Sequence, residues 1–288
     1  MMFVKAGLAV SVAFIVLMVI RGGKKRVNPA DVKALRVVIT GASSGIGEEI
    51  SYQLAAMGAK LLVTARRESK LKNVIEKCKN LGSQNAMYIA ASMDSLENAS
   101  RVITEAKEKL GEIDMLILNH INPSRMGGFC DNLTAQEIET KFVANVLANV
   151  HMTALAMESL KANLGRILYV SSFASVGGTP FLLPYVTHKS AMNGFFQGLR
   201  QELKYNNTDV SVSVCFLGYI GTEKAKAVQK SYTVKPSPVD ECAKEMIRGA
   251  MAREDNVYYP SVVSWAAKLQ GLLPQYMEYI VRSTVILP

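Results

Sequence analysis

Arg36-Val37-Val38-Ile39-Thr40 runs straight into Gly41-Ala42-Ser43-Ser44-Gly45-Ile46-Gly47, and the segment from Gly45 to Met57 is long enough for a helix. A short β-branched strand, a turn with three glycines and a helix follow one another without a gap. Glycine suits that turn because it is tight and because its backbone must approach a pyrophosphate closely. The first turn of the helix adds free N–H groups and a positive dipole end. A glycine triplet alone carries little weight, but its place between a strand and a helix is the context a dinucleotide site requires. Pyrophosphate contacts are therefore assigned to Gly41, Ser43, Ser44, Gly45, Ile46 and Gly47. A purely structural glycine turn is the alternative.

Outward from this turn, short apolar runs alternate with longer helical stretches. Lys60–Ala65, Ala86–Ala91, Asp114–Asn119, Arg166–Ser171 and Val210–Cys215 are expected as further strands, and Glu68–Lys79 and Ser95–Leu110 as crossover helices. Strands that are apolar nearly throughout are buried on both faces, which requires a parallel sheet covered by helices. The fold class is α/β: a single Rossmann-type doubly wound parallel sheet with helices on both faces. No internal repeat and no linker rich in Pro, Gly or Ser divides it, so residues 35–260 are expected to form one domain. Residues 261–288 form an apolar helical extension with Trp265, Leu269, Leu272, Leu273, Tyr276, Tyr279 and Ile280. Internal packing, a membrane-surface contact and a subunit contact are all compatible with it.

The end of the second strand selects the dinucleotide. A free ribose 2′-hydroxyl is usually held there by Asp or Glu, whereas a 2′-phosphate needs cations. Thr64-Ala65-Arg66-Arg67 contains no acid. NADP(H) is the expected cofactor, with Arg66 as bidentate partner of the phosphate and Arg67 beside it. A solvated helix start is the competing explanation for both arginines.

The 288 residues include 33 Lys plus Arg and 24 Asp plus Glu, a net charge of +9, with 49% hydrophobic and 20% charged residues. This composition supports a sizeable core and excludes wholesale disorder, collagen-like repeats and low complexity. Cys78, Cys130, Cys215 and Cys242 lie far apart without a Cys-x-x-Cys pair, which favours buried thiols over a zinc ribbon or disulfide scaffold. With three histidines, His120, His151 and His188, and no clustered carboxylates, no metal site is expected. His120 and His188 are the weaker candidates for proton carriers. Lys70, Lys72, Lys77 and Lys79 lack the interleaved aromatics of a nucleic-acid surface, so a charged helix face is expected and no nucleic-acid partner.

Two-thirds of the net charge lies in residues 1–36, which hold seven basic residues and one acid. Met1–Ile20 is apolar apart from Lys5; Ala6–Ile20 alone spans roughly 22 Å as a helix. Counted from Met1, the segment just crosses a bilayer. Arg21, Lys24, Lys25 and Arg26 follow, which makes a poor signal-peptidase site. A retained anchor at 1–20 with a basic juxtamembrane segment at 21–34 is expected over a removed signal and secretion. The basic cluster places the folded domain in the cytosol; sequons at Asn98, Asn132 and Asn206 would fit a lumenal one.

Tyr185-Val186-Thr187-His188-Lys189 sets a tyrosine and a lysine four residues apart, on one face of a helix. A free tyrosine, with a pKa of about 10, is a poor proton shuttle at neutral pH, and a neighbouring ammonium stabilises its phenolate. Thirteen residues before the tyrosine, Ser171 and Ser172 close an expected strand, at the sheet edge that faces ligands.

Together these residues resemble the classical short-chain dehydrogenase/reductase family, which joins a Thr-Gly-x-x-x-Gly-x-Gly turn to a Ser, a Tyr-x-x-x-Lys and an upstream Asn. The resemblance covers residues 35–260. It implies that Tyr185 is the acid/base, that Lys189 lowers its pKa and holds the nicotinamide ribose, and that Ser172 orients the carbonyl oxygen. Asn145, in the helical stretch Lys141–Val146, would hold a water that links the lysine to solvent. Cofactor contacts are further implied at Met93, Asn119 and Ile121, and at Gly218, Ile220 and Thr222 in Gly218-Tyr219-Ile220-Gly221-Thr222. Two departures narrow the branch: Leu118-Asn119-His120-Ile121 replaces the common Asn-Asn-Ala-Gly, and Leu217-Gly218 replaces Pro-Gly. With Thr64-Ala65-Arg66, Val257-Tyr258-Tyr259 and the anchor, they are similar to the 11β-hydroxysteroid dehydrogenase type 1 and type-1-like branch. The loop Thr179-Pro180-Phe181-Leu182-Leu183-Pro184 points to its type-1-like members. The resemblance implies an NADP(H)-dependent oxidoreductase interconverting hydroxyl and ketone on an apolar, steroid-like substrate, homodimeric and attached to the endoplasmic reticulum membrane. Other lipid or retinoid carbonyls, and a catalytically silent NADP(H)-binding sensor or scaffold, are the alternatives.

Overall fold

Seven strands, β1 (Arg36–Thr40), β2 (Lys60–Ala65), β3 (Ala86–Ala90), β4 (Met115–Leu118), β5 (Arg166–Ser172), β6 (Ser211–Leu217) and β7 (Asn256–Tyr259), pair in parallel in the order β3-β2-β1-β4-β5-β6-β7. The computed structural model describes residues 26–123, 126–128, 134–227 and 233–286. The expected anchor, Cys130 and the sequon at Asn132 lie outside them. Among the described residues no helix is long and apolar enough to cross a membrane.

Side-chain alternation along the strands decides which helices cover which face. Val37 and Ile39 of β1, Leu61 and Val63 of β2, and Met115 and Ile117 of β4 point to one side. There they meet α1 (Gly45–Ala56), α2 (Glu68–Leu81) and α7 (Val239–Met251), through residues such as Leu54, Leu71 and Met246. Val38, Leu62, Leu116 and Leu118 point to the other side. That face is covered by α3 (Leu96–Leu110), α5 (Ala148–Ala162) and α6 (Leu183–Tyr205), through Ile103, Met152 and Phe196. Nearly all these side chains are fully buried, each contributing roughly 1.5–3 kcal/mol of transfer free energy. Three helices on each face give the doubly wound sheet expected from the sequence, and the order reverses between β1 and β4, where such sheets bind ligands.

Local departures have local causes. α3 starts at Leu96 because Ser95 is its cap, its side chain accepting from Asn98 N at 3.3 Å. α2 runs on to Leu81 and stops at Gly82, whose φ of 124° suits glycine. β6 reaches Leu217, beyond the expected Cys215, because it pairs with β5 as far as Ser172. β7 has no sequence counterpart among the expected strands: it is four residues long with only Val257 fully buried, and its pairing with β6 defines it.

The amino edge of the sheet is tied by charge. Arg36 donates from its backbone N and from Nε to Asp114 Oδ2 at 2.8 and 2.9 Å. Its Nη2 donates to Asp114 Oδ1 at 2.7 Å and to Asn163 Oδ1 at 2.9 Å. Arg253 adds an ion pair with Asp209. Beyond β7 the chain forms α8 (Val262–Leu272) and α9 (Pro274–Thr284). Val263, Met277 and Val281 turn inward from them, while Trp265, Leu272, Tyr276 and Tyr279 are exposed. Thr233 N donates to Thr284 O at 3.0 Å, which ties the end of α9 to the segment preceding α7.

Candidate active site

The glycine turn leaves β1 at the carboxyl edge with Gly41 and Gly45 at φ of 67° and 63°. A Cβ on Gly41 would stand 2.7 Å from His120 Cα, and one on Gly47 2.6 Å from Gly41 O, so backbone packing alone excludes larger residues at both. Asn119, the asparagine kept after β4, pins the turn by donating from Nδ2 to Thr40 O at 3.0 Å and to Gly41 O at 3.1 Å. Ser44 caps α1 without a side-chain hydrogen bond, which leaves first-turn N–H groups of α1 for an anion. The cradle thus has both properties a pyrophosphate needs, close backbone and unspent donors.

At the end of β2 the arginines differ. Arg67 is folded over the turn, its Nη2 donating to Ser44 Oγ at 2.7 Å and to Ser43 Oγ at 3.1 Å. Arg66 is exposed at the rim of the same cavity. That cavity, of about 1040 Å³, brings together Gly41, Ser43, Ser44, Gly45, Ile46, Arg66, Arg67, Met93, Asn119, Ile121, Ser172, Tyr185, Lys189, Gly218, Ile220 and Thr222. Of the site residues expected from the sequence, Gly47 and Asn145 do not line it. Gly47 packs against Gly41 and Asn119, and Asn145 against Asn122 and His188.

Ser172 ends β5, its Oγ accepting from Ala174 N at 3.2 Å. Tyr185 and Lys189 project from the first turns of α6, with Lys189 Nζ 5.9 Å from the Tyr185 ring centroid and 4.8 Å from that of Tyr169. The ammonium donates to Val170 O. Burial lowers the Lys189 pKa to about 7. Burial pushes the Tyr185 phenol above its usual value, and the Ser172 hydroxyl beside it works the other way. In this cleft the amine is turned to a backbone carbonyl, and desolvation dominates both groups.

Asn145 lies in a π-helical turn, Val143–Leu147, inserted between α4 (Ala135–Phe142) and α5. No residue pattern signals this widening, which frequently marks functional sites. Asn145 Oδ1 accepts from Asn122 N at 2.7 Å, and its Nδ2 donates to Asn122 O at 2.9 Å. The same Nδ2 lies 3.2 Å from His188 Nδ1. His120 bridges Thr40 Oγ1 and Ala144 O, each at 2.8 Å. Both histidines are buried, and desolvation, with the nearby Lys189 charge, lowers each pKa to about 4. They are neutral at physiological pH and act as hydrogen-bonding groups, His120 in the cavity lining and His188 outside it. Among the described residues no group of three or more His, Cys, Asp or Glu could hold a metal ion. Cys78, Cys215 and Cys242 are buried thiols.

Residues 35–233 match the family model of short chain dehydrogenases. The chain is 39% identical over 255 residues to hydroxysteroid 11-beta-dehydrogenase 1-like protein A of Xenopus laevis, covering 88% of this chain and 86% of that protein. It is 34% identical over 277 residues to a Danio rerio hydroxysteroid 11-beta-dehydrogenase 1-like protein, covering 96% and 95%. Among solved structures, a Burkholderia cenocepacia short chain dehydrogenase in complex with NADP superposes with a TM-score of 0.69 at 24% identity, covering 79% of this chain and 96% of the other. A Burkholderia phymatum short chain dehydrogenase/reductase in complex with NAD gives 0.74 at 17% identity, covering 90% and 99%. At these identities the two structures speak to the fold.

Proposed function

Because the chain belongs to the short-chain dehydrogenase family, a family of oxidoreductases, we propose that it is an NADP(H)-dependent oxidoreductase that interconverts a hydroxyl and a ketone on an apolar, steroid-like substrate. The observation that carries this proposal is one continuous cavity. It joins the glycine cradle and its two arginines to Ser172, Tyr185 and Lys189, and then to apolar side chains such as Leu182, Val263, Met277, Ile280 and Val281. Its volume of about 1040 Å³ lies at the upper end of the range of ligand pockets. The names of the relatives support a steroid over other lipid or retinoid carbonyls.

The nicotinamide, when bound, supplies or accepts the hydride at the substrate carbon. Arg66, exposed beside the turn, and Arg67, now held on Ser43 and Ser44, would hold the 2′-phosphate of NADP(H). In the direction of reduction, Tyr185 donates its phenolic proton to the substrate oxygen as negative charge develops there. Ser172 hydrogen-bonds the same oxygen. Lys189, titrating near neutrality, returns a proton toward Tyr185, and Asn145 keeps the solvent side of that path in place.

The test is turnover of a ketosteroid and hydroxysteroid panel by membranes carrying the full chain, with NADPH, NADP, NADH and NAD. Tyr185→Phe is expected to abolish turnover while leaving NADPH binding within about twofold, since proton transfer contributes on the order of 10²–10⁴ in rate. NADPH binding without turnover by the wild type would instead identify a sensor. The same proposal includes a homodimer through the helices around Asn145 and Tyr185, and an endoplasmic reticulum membrane attachment through residues 1–20. Modification of Asn98, Asn132 or Asn206 in a glycosylation-shift assay would place the domain in the lumen.

A further inference from the structure

Asn145 spends its whole side-chain amide on two neighbours. Its Oδ1 accepts from Asn122 N, one amide proton goes to Asn122 O, and the remaining proton faces His188 Nδ1 at 3.2 Å. The backbone of Asn122 offers one fixed donor and one fixed acceptor, so the amide has one allowed orientation. Turned over, its oxygen would face the Asn122 carbonyl and its nitrogen the Asn122 N–H. The group presented to His188 is therefore a donor, and Nδ1 must accept.

We propose that His188 is a positioning residue: its Nδ1 accepts the second amide proton of Asn145 and so locks the π-helical turn to the helix that carries Tyr185 and Lys189. The proposal deepens the oxidoreductase assignment and rests on it. His188 immediately precedes Lys189, so a shift of the turn is felt at the lysine without any contact to substrate. The turn is also held at Ala144, whose carbonyl accepts from His120 Nε2. An acceptor is needed at His188, and its surroundings keep it one. It is 3% exposed, and the edge of Phe142 lies against it at 5.8 Å between centroids. The charges bearing on it are both cationic, Lys189 on its own helix and Lys141 on α4. Burial and these cations hold its pKa near about 4, so the imidazolium, which would confront the amide with a second donor, does not form at physiological pH.

A histidine that merely fills space at this position makes a different prediction, and two variants separate the two roles. His188→Phe keeps a ring against Phe142 and removes the acceptor. His188→Asn gives up the ring and places an amide oxygen close to the position of Nδ1. With NADPH and a turned-over ketone, His188→Phe is expected to lower kcat by about tenfold with both KM values within about twofold, and His188→Asn to restore kcat to within about threefold of wild type. Thermal unfolding and NADPH binding of each variant show that it is folded. Histidine ¹⁵N spectra of the wild-type protein provide a readout independent of turnover. The His188 signals, assigned by their loss in His188→Asn, should show a proton on Nε2 and a bare, hydrogen-bonded Nδ1. A proton on Nδ1, an undiminished kcat in His188→Phe, or equal losses in both variants would overturn the proposal. If the wild type turns over no hydroxyl or ketone, the oxidoreductase assignment fails, and the tautomer still decides the role of His188.

Discussion

The two edges of the one sheet treat charge in opposite ways. At the amino edge, Arg36 meets Asp114 through two side-chain hydrogen bonds, and Arg253 meets Asp209. At the carboxyl edge, Lys189, His188 and His120 are buried against carbonyls, amides and a hydroxyl, and desolvation moves all three pKa values toward the neutral form. A paired charge ties strands together and keeps its protonation over a wide pH range. Burial without a counter-ion keeps the two histidines neutral and brings Lys189 alone to a proton affinity near the working pH, which is the property a proton path needs. The difference separates residues kept for the fold from residues kept for the chemistry.

Replacing Lys189 should break that contrast most severely. Lys189→Met is expected to lower turnover by about a thousandfold, within the range of lost acid/base function. It should also alter the pH dependence of stability. The folded amine titrates at about 7, below the ordinary lysine value of about 10.5, so between these values the unfolded chain binds a proton that the folded one lacks. The cost of the buried ammonium is fully present below pH 7, and stability contributed at this site rises as pH increases from 7 toward 10.5. Melting of the cofactor-free protein at pH 7 and 9 should show that rise in the wild type and a smaller one in Lys189→Met; equal slopes would contradict the assignment.

A smaller effect is expected at the rim of the same edge. Arg66→Asp should raise KM for NADPH by about a hundredfold and that for NADH by less than about threefold, because only the former loses a charge-assisted phosphate contact. Equal changes would remove the preference for NADP(H). At the amino edge, Asp114→Asn should lower stability by about 2 kcal/mol in denaturant melts and leave kcat within about twofold. Burial pushes the Asp114 carboxyl up, but the hydrogen bonds and charge of Arg36 outweigh it and the net shift is downward. Its contribution is present above the ordinary carboxylate pKa and is lost as pH falls through the lower folded value, so the wild type should lose part of its margin over Asp114→Asn in acid. A fall in kcat would blur the division between the two edges.

The parts of this molecule legible in its sequence are those written locally. The glycine turn is a run of seven residues between a strand and a helix, and Tyr185 and Lys189 meet because one helical turn joins them. Strands buried on both faces announce themselves as apolar runs. What the sequence concealed depends on packing between distant segments. Asn145 meets Asn122 across 23 residues and His188 across 43, and no spacing rule links them. Arg66 and Arg67 are indistinguishable as adjacent cations, yet only Arg67, the residue at the helix start, reaches Ser43 and Ser44. The upward shift of Tyr185 follows from burial depth, which composition does not record.

The last strand of the sheet ends at Tyr259, yet Val263, Met277, Ile280 and Val281, all later in the chain, form part of the cavity's apolar wall. Synthesis delivers every strand and the whole proton path before these four residues. The two are separable in inheritance as well. Exchanges confined to residues 262–284 can alter the shape of the molecule admitted without disturbing a strand register, a glycine or a titrating group, so selection can retune the diet of this protein while its chemistry stands still.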